Sequence, residues 1–257
     1  MYYKVLLDGK SFHGGGFEWS LPKNGKPGKW HSVVGDLRMC LHGFHLTDNP
    51  QKWWDRNAKC YEVEYKDALQ PNEDKICVRK VRLVKELTHD DLAKLQIFYS
   101  GEHVVTEGTA LAYNSSTVKA FGSSTVEAYN SSTVTAYNSS TVKAYNSSTV
   151  EACGSSTVTA CGSSTVTAYN SSTVTAYNSS TVKAYNSSTV EAYNSSTVKA
   201  YSSSTVKAYN SSTVKACGSS TVNSRFHTGN VTVSHNAIHI NRDTTPPTIR
   251  GNYQGGK

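Results

Sequence analysis

The sequence predicts a mainly β protein: a β-solenoid of about seven two-octad coils, behind an α+β N-terminal domain and before a short C-terminal cap. Three observations predict it. Residues 112–223 repeat the octad Ala-Tyr-Asn-Ser-Ser-Thr-Val-x fourteen times without an insertion or deletion. Within each octad, small and β-branched residues alternate with polar ones, the period of a strand rather than of a helix. All four tryptophans and both methionines lie in residues 1–108, so a compositionally different domain precedes the repeat.

Each octad supplies one short strand and one corner. In the first, Ser116, Val118 and Ala120 share one side of the strand, and Thr117 and Lys119 take the other. The inner positions barely change along the chain, whereas x varies as Lys, Glu, Thr or Asn, which marks x as outward-facing. Tyrosine is followed by Asn in nine units and by Ser once, at Ser202, while Phe121, Cys153, Cys161 and Cys217 are each followed by Gly. Asn and Gly accept a left-handed backbone most readily, so this position is the turn, and Ser202 is its most strained example. A closed coil needs two octads or three. With two, residues sixteen apart stack at ~4.8 Å per rung into a rod about 34 Å long. One column then holds Tyr113, Tyr129, Tyr145, Cys161, Tyr177, Tyr193 and Tyr209; the opposite one holds Phe121, Tyr137, Cys153, Tyr169, Tyr185, Tyr201 and Cys217. Cys153 and Cys161 fall on opposite columns, which argues against a disulfide between them.

These octads resemble the repeat domain of bacterial ice-nucleation proteins, whose sixteen-residue coils carry Ser-Thr-x-Thr and small Ala/Gly elements. The resemblance covers 112 of 257 residues. It implies a solenoid with a tyrosine ladder and, in that family, ice-templating threonine rows. Thr-Val-Thr occurs here at 133–135, 157–159, 165–167 and 173–175; elsewhere Lys or Glu replaces the second threonine. Two further readings of the same rows stand beside ice binding. The Thr and Lys/Glu rows solvate a rod, or the aromatic column Tyr113, Tyr129, Tyr145, Tyr177, Tyr193 and Tyr209 forms an assembly surface for further copies of the chain.

In residues 1–108, strands are expected at 2–7, 41–46, 61–65 and 76–83. A short helix should follow Asn49 with Pro50 at its first position, and another should follow Thr88, where Asp91 completes a capping box. His13-Gly14, then Gly43-Phe44-His45-Leu46-Thr47, then a Trp-bearing helix resemble the nicotinamide-pocket elements of ADP-ribosyltransferases. The resemblance implies that His13 contacts a ribose and Gly14 a carboxamide. His45 stands where the family has tyrosine, and Glu86 and Glu102 match its late catalytic glutamate by order alone. His13 and His45 are thus the catalytic candidates and Gly14 and Gly43 the ligand-binding ones; both glycines equally suit plain turns. Cys40-x-His42-x-x-His45 could begin a zinc site. On a strand, however, Cys40 and His42 share one face and His45 takes the other, so packed or solvated histidines are expected and no metal.

The net charge of +7 is spread thinly: 16 basic and 15 acidic residues before the repeat, six Lys and three Glu in it. Such a balance does not favour nucleic acid. The expectations for function follow from this. The chain is a non-enzymatic scaffold without a cofactor, its partner is itself, and it has no membrane segment. The N-terminal domain caps the first coil, since an open solenoid end invites association. Residues 224–257 form a C-terminal cap, with Val231, Val233, Ile238 and Ile240 as a hairpin or closing strands, then a loose tail. Without an apolar leader and with unpaired cysteine spacings, the cytoplasm is the expected compartment, and the Asn-Ser-Ser sequons are by-products of the repeat. A small domain joined to a near-perfect octad array resembles proteins carried by bacteriophages and their hosts, which extends the expected locations to the virion.

Overall fold

A computed structural model describes residues 1–11 and 17–251, which form two compact units, Met1–Ile97 and Phe98–Lys257.

In the first unit, β1 (Tyr3–Leu7), β2 (His31–Ser32), β3 (Phe44–Thr47), β4 (Ala58–Ala68) and β5 (Lys75–Glu86) make an antiparallel sheet in the order β2-β5-β3-β1-β4. β4 also pairs with β5, so four strands close on themselves, although β1 and β3 meet at the single pair Tyr3–Thr47. Leu6, Phe44, Leu46, Tyr61, Ile76, Val78 and Leu83 fill the core, with Trp19 packed among them. The expected strands are present, with β4 and β5 longer than their apolar runs. Helix is scarcer than expected. After Asn49 there is one 3-10 turn, Pro50–Trp53, and the Asn49 side chain makes no cap bond. The second helix, α1 (His89–Lys94), has the expected box: Thr88 Oγ1 accepts from Asp91 N–H, and the Asp91 carboxylate accepts from Thr88 N–H. The unit is thus a β ring with short helical segments rather than an even α+β mixture.

In the second unit the octads form the solenoid, two to a coil. From Thr117 to Ala200 each strand runs from Thr to Ala, as in Thr165–Ala168, and pairs in parallel with the strand sixteen residues on in exact-residue register: Val150 against Val166, and Val166 against Val182. Strands from alternate octads build two sheets, one of which has nine strands. The solenoid therefore has about nine turns rather than seven, because rungs without an octad extend it at both ends. Every octad valine is buried at 0–1 % exposure, the alanines lie at 0–3 %, and the second serines at 0 %. Buried at 0 % exposure, the serine commonly turns back on the corner: Ser164 Oγ lies 2.8 Å from Cys161 O and 3.0 Å from Asn146 O of the previous coil, whereas Ser124 Oγ makes no such bond.

The corner residue is left-handed throughout. Asn114, Asn130, Asn138 and their equivalents have φ of 53–60°, Gly122, Gly154, Gly162 and Gly218 62–71°, and Ser202 56°. Ser202 lacks the amide with which Asn186 reaches Asn170, 3.2 Å apart in the same column. Ser202→Asn is expected to raise the melting midpoint, stabilising the rod by about 0.5–1 kcal/mol; an unchanged melt would mean that the corner carries no strain.

At the N-terminal end, Glu102–Val105 and Thr109–Ala112 continue the two sheets. At the C-terminal end, Val231–Val233 and Ile238–Asn241 do the same by parallel pairing, not as a hairpin with each other. Register places His103 against Val118 and His239 against Val222, so histidine takes the inner valine site in both outer rungs. A terminal site is half open to solvent, and His can bond there, as His239 Nε2 does with Ser224 Oγ at 2.8 Å. Ile238 and Ile240 take the outward positions of Thr221 and Asn223. The strand Thr248–Gly251 pairs antiparallel to Ile238–Asn241, within the stretch expected to be a loose tail. Among the described residues no helix is long and apolar enough to cross a membrane.

Candidate functional site

The rod offers two kinds of surface, corners and flat faces. At the corners, aromatic rings of successive coils stack nearly parallel with centroids 4.7–5.2 Å apart, from Tyr99 through Tyr113, Tyr129 and Tyr145, and again from Tyr177 through Tyr193 to Tyr209. The opposite corner stacks Phe121 on Tyr137, and Tyr169 on Tyr185 and Tyr201. Cys161 interrupts the first column and Cys153 the second; both thiols are free, and burial pushes both up. Most rings are half-buried by their own neighbours. Tyr113 is only 5 % exposed, so it contributes little to an assembly surface, whereas Tyr177, beside the Cys161 gap, is 36 % exposed.

On the first face, Tyr129 O–H donates to Glu127 at 2.8 Å, and Lys143, one coil on, reaches the same carboxylate at 2.9 Å. Tyr193, Glu191 and Lys207 repeat this at 3.0 and 2.9 Å. Burial raises the Tyr129 phenol, and its bond to Glu127 adds to that. Burial acts to raise the Glu127 carboxyl, but the hydrogen bonds from Lys143 and Tyr129 outweigh it and hold the group low. Between the two clusters lie Thr157, Thr159, Thr173 and Thr175, a paired threonine array two rungs tall, bounded by Lys143 and Glu191. On the second face, Glu151 separates Thr133 and Thr135 from Thr165 and Thr167, and Lys183, Lys199 and Lys215 follow in consecutive rungs. That lysine file is invisible to a charge count along the chain. It emerges when residues are compared sixteen apart.

In the first unit a cavity of about 640 Å³ opens beside β1 and β3. Of the sequence-derived candidates, Gly43 and His45 line it, and His13 and Gly14 lie outside the described residues. Gly43 has φ +131°, and a Cβ there would stand 2.4 Å from Cys77 Sγ; packing against β5 is enough to require glycine. His45 Nε2 accepts from Cys40 N–H at 2.8 Å, which fixes the ring with its proton on Nδ1. Burial lowers the His45 pKa, and the charges of Lys4 and Lys75 lower it further, so the imidazole is neutral near neutral pH. His42 Nε2 bonds Val34 O at 2.8 Å. Among the described residues, no three His, Cys, Asp or Glu side chains cluster as metal ligands.

The two late glutamates go elsewhere. Glu86 holds Lys59 at 2.9 Å and accepts from Tyr61 O–H at 3.2 Å, and Glu102 is exposed in the second unit. The cavity residues that sequence reading missed are Lys4, Trp19, Trp53 and Lys75, which come from four separate segments. Beside them Asp74 is buried, accepting from Lys52 Nζ at 2.7 Å, Trp53 Nε1 at 2.6 Å and Thr47 Oγ1 at 3.1 Å. Against this geometry, no family model matches the chain, and neither does any curated protein or solved structure.

Proposed function

We propose that the solenoid is a rigid, non-enzymatic scaffold whose tyrosine corners join it to further copies of the same chain. The observation that carries the reading is the unbroken residue-on-residue register from Thr117 to Ala216. A stack whose coils share every ladder bends little, and its identical rungs present identical side chains at a fixed spacing. The corner columns add half-exposed aromatic surface along the rod, widest at Tyr177, and such surface favours association.

Ice binding is the weaker reading, because the uncharged threonine arrays stop after two rungs or one. An ADP-ribosyltransferase-like activity is weaker still, since Glu86 is spent on Lys59 and Tyr61. Sedimentation of the full chain over a wide concentration range tests the proposal. Concentration-dependent assembly is expected, and Tyr177→Ser with Tyr193→Ser should weaken it by about fivefold or more, in line with about 0.5–1.5 kcal/mol per lost aromatic contact. A monomer at every concentration, or assembly indifferent to both substitutions, would overturn the role of the tyrosines.

A further inference from the structure

We propose that the cavity of the first unit binds a small aromatic carboxylate. At about 640 Å³ it lies within the size range of small-molecule sites. Its walls are more apolar than polar, with Phe17, Trp19, Phe44 and Trp53 contributing rings. Two ammonium groups, Lys4 and Lys75, also line it, and among the described residues no Asp or Glu does.

The absence of an acid among the lining residues is the decisive point. Lys4 Nζ donates to the carbonyl of His45 at 3.1 Å and lies 5.1 Å from the centre of the Trp19 ring. Lys75 Nζ sits 4.1 Å over Trp53. Neither lysine has a carboxylate partner among the described residues, and the nearby carboxylate, Asp74, is occupied by Lys52, Trp53 and Thr47. An ammonium removed from water and left without a counter-ion is costly. Consistent with this, burial brings the Lys4 pKa down to about 8. A ligand that places a carboxylate near these ammoniums and a flat apolar ring against the tryptophans supplies what the protein lacks. A bare anion would leave the aromatic walls wet, and a neutral ring would leave the charges uncompensated.

The titratable groups around Lys4 fix the pH dependence. His45 on β3, Lys75 on β5, Cys40 and Tyr3 line the same cavity. His31 packs on Phe17 and Trp19, and Tyr61 of β4 stands opposite Lys4 in register. Burial raises the Tyr3 and Tyr61 phenols and lowers the His31 and His45 imidazoles, so these four stay neutral near neutral pH, and a bound carboxylate favours the charged form of Lys4. Affinity is therefore highest between about pH 5, above which the ligand is a carboxylate, and about 8, and falls by up to about tenfold per unit above that.

Isothermal titration calorimetry of the full chain with 2-naphthoate tests this, with naphthalene-2-methanol and acetate as the uncharged and the ringless controls. Expected are one site per chain, at least tenfold weaker binding of either control, the alkaline loss of affinity, and at least tenfold weaker binding by Lys4→Met. No saturable binding of 2-naphthoate, equal binding of the alcohol, or wild-type affinity in Lys4→Met would overturn the proposal. Should Lys4→Met fail to fold, the wild-type pH profile and Lys75→Met decide by the same criteria. The outcome is independent of whether the rod self-associates.

Discussion

Replacing Val166 by aspartate is expected to break the solenoid in its middle. Val166 is fully buried between Val150 and Val182 in strictly paired rungs, and the alanines and serines around it offer no cation. Burying an unpaired carboxylate there costs about 4–5 kcal/mol or more even after its pKa rises to neutralise it. In a globular core that penalty is weighed against the whole domain. Here each rung touches only its neighbours, so the strands Thr149–Ala152, Thr165–Ala168 and Thr181–Ala184 must absorb it. The expected result is rapid proteolysis between residues 150 and 185, with the flanking rungs still folded as two protected fragments and circular dichroism retaining much of its β signal. Val166→Thr, similar in shape but with a hydroxyl in place of a methyl, should be far milder. A Val166→Asp protein as resistant to protease as the wild type would mean that the core is wet or loosely packed, and the rigid-scaffold reading would fail with it.

That local fragility has the same origin as the legibility of the fold. Fourteen octads in one phase leave few ways to place valine, alanine and serine inside, and the turn follows from Asn or Gly in one column. The outer rungs were not legible because they drop the octad while keeping its geometry. Val105 and Ala112 occupy alanine sites, but His103 and His239 occupy valine sites, and no alternation of apolar residues points to that. Ile238 and Ile240, in register with Thr221 and Asn223, carry apolar side chains into outward positions. In a terminal rung, continuity of backbone pairing outweighs the side-chain preference that sets phase inside the rod.

The cavity divides similarly. Gly43 and His45 could be picked out because they sit together in one short segment, Gly43 immediately before β3 and His45 within it. Lys4, Trp19, Trp53 and Lys75 could not, because only ring closure of the sheet brings β1, the Trp19 segment, the 3-10 turn and the start of β5 together. A lysine in an amphipathic strand reads as solvated until its strand is known to face a cavity. The sequence signal that was present, a Lys within Tyr-Tyr-Lys-Val-Leu-Leu, is too common to carry that inference.

Asp74 ties this cavity to the stability of its unit, and Asp74→Asn is expected to cost about 2–3 kcal/mol. The carboxylate is buried and receives three donors, from Lys52, Trp53 and Thr47, and two of these residues line the cavity. An amide keeps one acceptor oxygen and turns an NH₂ toward groups that also donate, so at least one buried donor loses its partner. For a unit of this size the loss corresponds to a melting midpoint lower by roughly 10–20 °C, read from tryptophan fluorescence. The pH dependence gives a second, independent measure. Burial acts to raise the Asp74 carboxyl, but the bonds from Lys52, Trp53 and Thr47 prevail and bring it to about 2, below its unfolded value of 3.8. A carboxyl whose folded pKa is depressed stabilises the fold above the unfolded pKa, and that contribution disappears as pH falls through the folded one. Wild-type stability attributable to Asp74 is therefore complete above pH of about 4 and lost between about 4 and 2, whereas Asp74→Asn should show a flatter profile across that window. Equal slopes in the two proteins would place the acid sensitivity of the unit on other carboxylates. A wild-type melt in Asp74→Asn would show that Trp53 and Thr47 hold their places in the cavity wall by packing rather than by their bonds to Asp74.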